Sequence, residues 1–145
     1  MYDIVIKSHV VISGLFLSLA VVVLAWAIYG WLKNRPCHPV FRKLSNIFMI
    51  GLYLELLTGL ALYFFLQPEQ SEHLPSLEEA IRQNELRFWA IEHVTLMVFA
   101  LILAQIGRLL IARTQSDKKR YRNASLYYGG AFLLIVASAA MAIFR

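Results

Sequence analysis

The chain has 145 residues, of which 59% are hydrophobic, a net charge of +5 and a mean hydropathy of +0.61. Its apolar residues come in long blocks, which excludes an ordinary soluble globular domain. The single cysteine, Cys37, excludes an intrachain disulfide, and without a CxxC or CxxCH motif covalent attachment of c-type haem is excluded as well.

The first block is Ile4–Leu32. It begins "MYDIVIKSH", lacks a basic start, runs too long for a leader and has no small-x-small cleavage site after it. It therefore reads as a retained helix, with Asp3 and Lys7 near headgroup level. His9, Ser13, Phe16 and Ala20 share one helical stripe. The loop "KNRPCHPVFRK" follows, carrying Lys33, Arg35, Arg42 and Lys43. Cys37 and His38 are adjacent in it, but two neighbouring donors in a Pro-bounded loop read as a solvated loop rather than a metal site.

The second block is Ile47–Leu66. Near its middle lies Glu55, with Gly51 and Gly59 four residues to either side on the same stripe. An acid there faces the interior, where its charge is costly unless paired. It reads as a proton relay or as a hydrogen-bonding group holding this span to Gln105 or Tyr53. The following loop, "QPEQSEHLPSLEEAIRQNELR", is acidic. Within it "SLEE" is a capping box, Ser76 with Glu79, which predicts a short amphipathic surface helix from Leu77.

The third block is Phe88–Ile106, entered through "RFWAIEH". Arg87, Glu92 and His93 lead directly into apolar sequence, and His93, Met97, Ala100 and Ala104 share a stripe. Glu92 is placed to pair with Arg87 or to sit among headgroups. A second basic stretch runs from Arg108 to Arg122. The fourth block, Leu126–Phe144, contains the small-residue run "ASAAMA", Ala137 to Ala142.

Each block approaches the roughly 20 residues a helix needs to cross a bilayer core, and in lipid only a helix satisfies its own backbone. The expectation is an all-α antiparallel bundle of four transmembrane helices, one domain over residues 1–145. Ten of the fourteen Lys and Arg fall in the two basic stretches. These belong on the cytoplasmic side, which puts both termini and the acidic loop outside. The membrane would be the bacterial cytoplasmic one. Topology and anionic lipid account for the basic charge, so no nucleic-acid partner is implied. A homo-oligomer is compatible with the pattern.

In that topology the first and third spans run in the same direction. His9 lies five residues past Ile4 and His93 five past Phe88, so each imidazole is roughly 7 Å below the outer boundary at 1.5 Å per residue. Zinc wants four ligands, or three and a water, and no third His or Cys shares this depth. Copper would favour sulfur, for which Met97 and Met141 are weak candidates. Iron in haem b needs only two axial imidazoles, because the porphyrin supplies the other four nitrogens. It also needs room. On the returning fourth span the same depth falls near Ala139 and Ala140, whose small side chains leave space for a flat macrocycle or else permit close helix packing. Each ring would be oriented by a carbonyl one turn back, at Val5 or Trp89. Arg87, Lys7 and Arg145 are the cations available to haem propionates, Arg87 having the preferred fork geometry.

The run from Arg87 to His93, the early His9 and the "GLALYF" segment from Gly59 to Phe64 resemble a family of small four-helix membrane proteins of Bacteroidota labelled cytochrome b-like. That resemblance implies haem b binding. Where the family carries a further His on its second helix, this chain has Tyr53. More loosely, "MYDIVIKSHVV" is similar to the start of haem-containing four-helix protoporphyrinogen oxidases, although their Trp-Leu-His pattern on the third helix is missing. Three functional readings follow. The first is a bis-histidine membrane cytochrome, with His9 and His93 as iron ligands, exchanging electrons with a quinone or a respiratory partner subunit. The second is a protoporphyrinogen oxidase-like enzyme with Glu55 as proton acceptor. The third is a cofactor-free accessory subunit whose histidines only link helices.

Overall fold

The computed structural model describes residues 2–65 and 77–144. Within them all regular structure is helical: α1 (Tyr2–Leu32), α2 (Pro39–Phe65), α3 (Leu77–Arg82), α4 (Asn84–Arg87), a π-helical segment (Phe88–His93), α5 (Val94–Arg113) and α6 (Asp117–Ile143). Four helices are long and apolar enough to cross a membrane: α1, α2, the π segment with α5, and α6. Ser76 of the expected capping box lies outside the described residues, as does Arg145.

Three of these spans run well past their apolar blocks, α5 continuing to Arg113 beyond Ile106. α2 starts at Pro39 rather than near Ile47, and α6 at Asp117 rather than Leu126. Hydropathy marks the stretch suited to lipid, whereas the backbone ladder runs on until a cap stops it. Pro39 sits in the first turn of α2, where its missing N–H is an orphan position anyway. Nδ1 of His38 accepts from the Val40 N–H at 3.2 Å and caps the same turn. At α6 the N-cap is Ser116, whose hydroxyl accepts from the Lys119 N–H, with Asp117 in the first turn favouring the helix dipole. α1 ends in a Schellman closure: Asn34 takes φ 49°, and the Arg35 N–H returns to the Gly30 carbonyl at 3.0 Å.

The pairing is antiparallel around the bundle. Side chains meet as His9 with Thr58, Ser13 with Glu55 and Phe16 with Phe48 between α1 and α2. Between α5 and α6, His93 meets Ser138. α1 packs on α2 and α6, and α5 packs on α2 and α6, so α1 and α5 face one another across the bundle diagonal.

The core has two unlike halves. Toward the α1–α2 loop it is filled by rings: Phe16 stacks on Phe48 at 5.3 Å, Phe48 meets Tyr128 at 5.0 Å, and Phe41 meets Tyr121 at 4.8 Å. The Tyr121 hydroxyl donates to the Pro36 carbonyl at 3.2 Å, tying the loop to α6. Gly30 permits this ring, because a Cβ there would lie 2.6 Å from it. Toward the opposite end the polar residues His9, Ser13, Glu55, Thr58, His93 and Ser138 gather, with Phe88 buried beside them. Outward-facing residues such as Val10, Leu15, Val21 and Leu133 are apolar and exposed, the surface expected against hydrocarbon.

Candidate histidine site

The site is built from one residue pair at a time. On α1 the stripe expected from the sequence points inward: Phe16 and Ala20 are buried and His9 and Ser13 are half-buried. On α5, Met97, Ala100 and Ala104 are buried below His93. Neighbouring helices sit 8–10 Å apart, so a bundle diagonal spans roughly 11–14 Å. Two imidazoles with an atom between their tips need that wider spacing.

Neither ring is oriented by a backbone carbonyl, contrary to the expectation for Val5 and Trp89. Nδ1 of His9 lies 2.9 Å from the Thr58 hydroxyl on α2. Nδ1 of His93 lies 2.7 Å from the Ser138 hydroxyl on α6. In each case a hydroxyl on the neighbouring helix takes the place of that carbonyl.

The proton count at His9 is decided by Thr58. A threonine hydroxyl has one hydrogen, and here it is spent on carbonyls of its own helix, Leu54 at 2.8 Å and Glu55 at 3.1 Å. Thr58 therefore accepts, and Nδ1 of His9 must donate. The lone pair of a neutral His9 is then on Nε2, which has no hydrogen-bond partner among the described residues.

Glu55 belongs to the same cluster, not to Gln105 or Tyr53 as the sequence suggested. It is 3% exposed, and Oε2 lies 2.6 Å from the Ser13 hydroxyl and 3.4 Å from Nδ1 of His9. Gln105 instead accepts from the Tyr53 hydroxyl at 3.5 Å. Counted along its own block, Glu55 lies deeper than His9. The register sets Thr58 opposite His9, and the carboxylate spans the remaining turn. Oε1 of Glu55 is buried without a hydrogen-bond partner among the described residues.

His93 closes a π-helical segment that no periodicity in the sequence announced. A π turn bonds i to i+5, so residues five apart come to one face. Phe88 is fully buried and its ring lies 6.1 Å from that of His93, while Trp89 meets the imidazole edge-on at 5.4 Å. The same geometry lets Nε of Arg87 donate to Oε1 of Glu92 at 3.0 Å across five residues, a spacing that an α-helix would splay apart. The expected Arg87–Glu92 pair is thus present, on a backbone of another kind.

On α6 the interior residue at the histidine level is Ser138, which is 1% exposed. Its neighbours Ala139 and Ala140 are half-buried. Sequence reading saw only the small size of "ASAAMA"; one hydroxyl among alanines was the available signal. Lys7 is exposed and lines a shallow surface groove with Ser8, Val11 and Ile12. Among the described residues no group of three or more His, Cys, Asp or Glu gathers as a bare-metal site would. Cys37 is half-buried in the α1–α2 loop, where burial pushes its thiol upward from the ordinary value.

The donor set fits a planar macrocycle carrying its own four nitrogens. It offers two imidazoles on non-adjacent helices, each tethered through Nδ1 and each with an Nε2 that has no hydrogen-bond partner among the described residues. Compared with known protein families, curated proteins and solved structures, the chain matches none.

Proposed function

We propose that the chain is a haem b-binding integral membrane protein, with His9 and His93 as the two axial donors, and that it exchanges electrons with a quinone or a partner subunit. One observation carries this reading: each imidazole is held by a hydroxyl at Nδ1, and the two stand on helices that lie across the bundle diagonal from one another. A bound haem would supply one-electron redox chemistry. The chain's own residues orient the two rings and exclude water with Phe88, Met97 and Phe16. Arg87, braced by Glu92, is placed to meet anionic groups at the bundle end.

Topology completes the proposal. The basic segments around Arg35 and Lys118 lie on the cytoplasmic side of a bacterial inner membrane, and the histidine level lies toward the outer face with both termini. The cofactor-free reading draws on the same hydroxyl bonds, since a histidine bridging two helices also satisfies them. What favours haem is the Nε2 of each ring, which has no hydrogen-bond partner among the described residues and is the atom an iron would take.

The test is the absorption spectrum of detergent-purified protein from haem-sufficient cells, compared with His9→Ala and His93→Ala. The reading expects a six-coordinate bis-imidazole spectrum in the parent chain and its loss in both variants. A full bis-imidazole spectrum in His93→Ala would refute the assignment.

A further inference from the structure

The two histidines are not equivalent, and the difference lies in what stands behind each ring. Behind His9 are two acceptors. Thr58 must accept, because its proton goes to the Leu54 and Glu55 carbonyls, and Oε2 of Glu55 lies 3.4 Å from the same nitrogen. Glu55 is in turn held by the Ser13 hydroxyl at 2.6 Å, and Ser13 also reaches the His9 carbonyl at 2.8 Å. His9 is thus fixed as an Nδ1–H donor with its lone pair at Nε2.

Behind His93 stands one group. Ser138 is buried, and its hydroxyl makes one hydrogen bond among the described residues, to Nδ1 of His93. No carbonyl takes the serine proton. The bond to His93 can run either way, Ser138 donating to Nδ1 or accepting from it, so a single hydroxyl does not fix the His93 proton as Thr58 and Glu55 fix that of His9.

The geometry points to His9 as the anchoring ligand, with Glu55 as its positioning residue, and to His93 as the exchangeable ligand, so that a small neutral ligand enters on the His93 side. This rests on the haem reading above. A hydrogen-bonded acceptor behind a ligating imidazole fixes its orientation and raises its donor strength, and loss of such a partner typically costs 10- to 100-fold in metal affinity. By that rule the doubly backed imidazole outlasts the singly backed one when another ligand competes.

The first experiment uses the haem-free chain, with ¹⁵N-labelled histidine in micelles. Ring nitrogen shifts should report Nδ1–H as the single tautomer of His9, and Glu55→Gln should move the His9 signals while leaving those of His93 in place. A His9 ring protonated at Nε2, or equal shifts at both residues, overturns the proposal without touching the haem reading. The second uses full-length protein reconstituted with haem and carbon monoxide as the probe. His93→Ala should retain haem and bind carbon monoxide faster than the parent chain, whereas His9→Ala should lose haem retention by roughly tenfold or more. Glu55→Gln should shift the reduction potential, and Ser138→Ala should leave it closer to the parent value. Elution as a monodisperse bundle separates these effects from misfolding.

Equal haem retention in His9→Ala and His93→Ala, or a Glu55→Gln potential indistinguishable from the parent, overturns the assignment of roles. A parent chain that takes up no haem overturns the reading beneath it as well.

Discussion

One hydroxyl meets Nδ1 of each imidazole, Thr58 at His9 and Ser138 at His93. Thr58 is the more tightly determined, because its one proton is committed to its own helix. Thr58→Val keeps the shape and removes the acceptor, leaving Nδ1 of His9 with Glu55 alone. Hydrogen bonds between membrane helices are worth about 0.6 kcal/mol on average and up to about 1.7. Thr58→Val should therefore lower unfolding free energy in micelles by about 1 kcal/mol, while Thr58→Ser should stay within a few tenths. Denaturant titration followed by tryptophan fluorescence would show it. The histidines themselves were legible, since two ionisable rings at one depth stand out in apolar sequence. Their partners were not. Serine and threonine are ordinary in membrane helices, and Ser138 lies in a run of alanines where only small size draws notice. The pairing of Glu55 with α1 escaped for another reason: depth counted along one helix says nothing about the register of the helix beside it.

At the scale of elements, the four spans followed from block length and the lipid constraint. Their true ends followed from caps outside the apolar stretches: Ser116 before α6, His38 and Pro39 opening α2, and Asn34 closing α1. The π segment was invisible, because a side-chain pattern fixed by i+3 and i+4 cannot signal one turn bonded at i+5. Packing between α5 and α6 depends on Gly107, where a Cβ would lie 2.6 Å from Cβ of Tyr127. That atom is fixed to the backbone and cannot swing aside, so the helices would have to separate. Gly107→Ala should cost about 1–3 kcal/mol, the range for overpacking a close contact. Gly14 meets nothing within 4 Å of an added Cβ. Gly14→Ala should be neutral, or stabilise the chain by up to about 1 kcal/mol through helix propensity. Equal loss of thermal stability in both variants would contradict the packing described between α5 and α6.

For the molecule as a whole, the division between an aromatic half and a polar half organises everything else. Phe16, Phe48, Tyr128, Phe41 and Tyr121 fill the end nearest the α1–α2 loop. The bundle is closed there and held to its loop through Pro36. The other half concentrates four polar partners around two imidazoles, an expensive arrangement in a membrane unless it serves a ligand. The electron exchange proposed above would require that ligand to be a redox centre, and haem b is one that two axial nitrogens suffice to hold. The most direct measurement is the pyridine haemochrome assay on the purified full-length chain, with protein quantified by amino-acid analysis. The account predicts one haem b per chain, lost on joint replacement of His9 and His93 by alanine in a bundle that still elutes as folded. A parent chain that stays colourless after expression with abundant haem, or a double variant that keeps its haem, would contradict it.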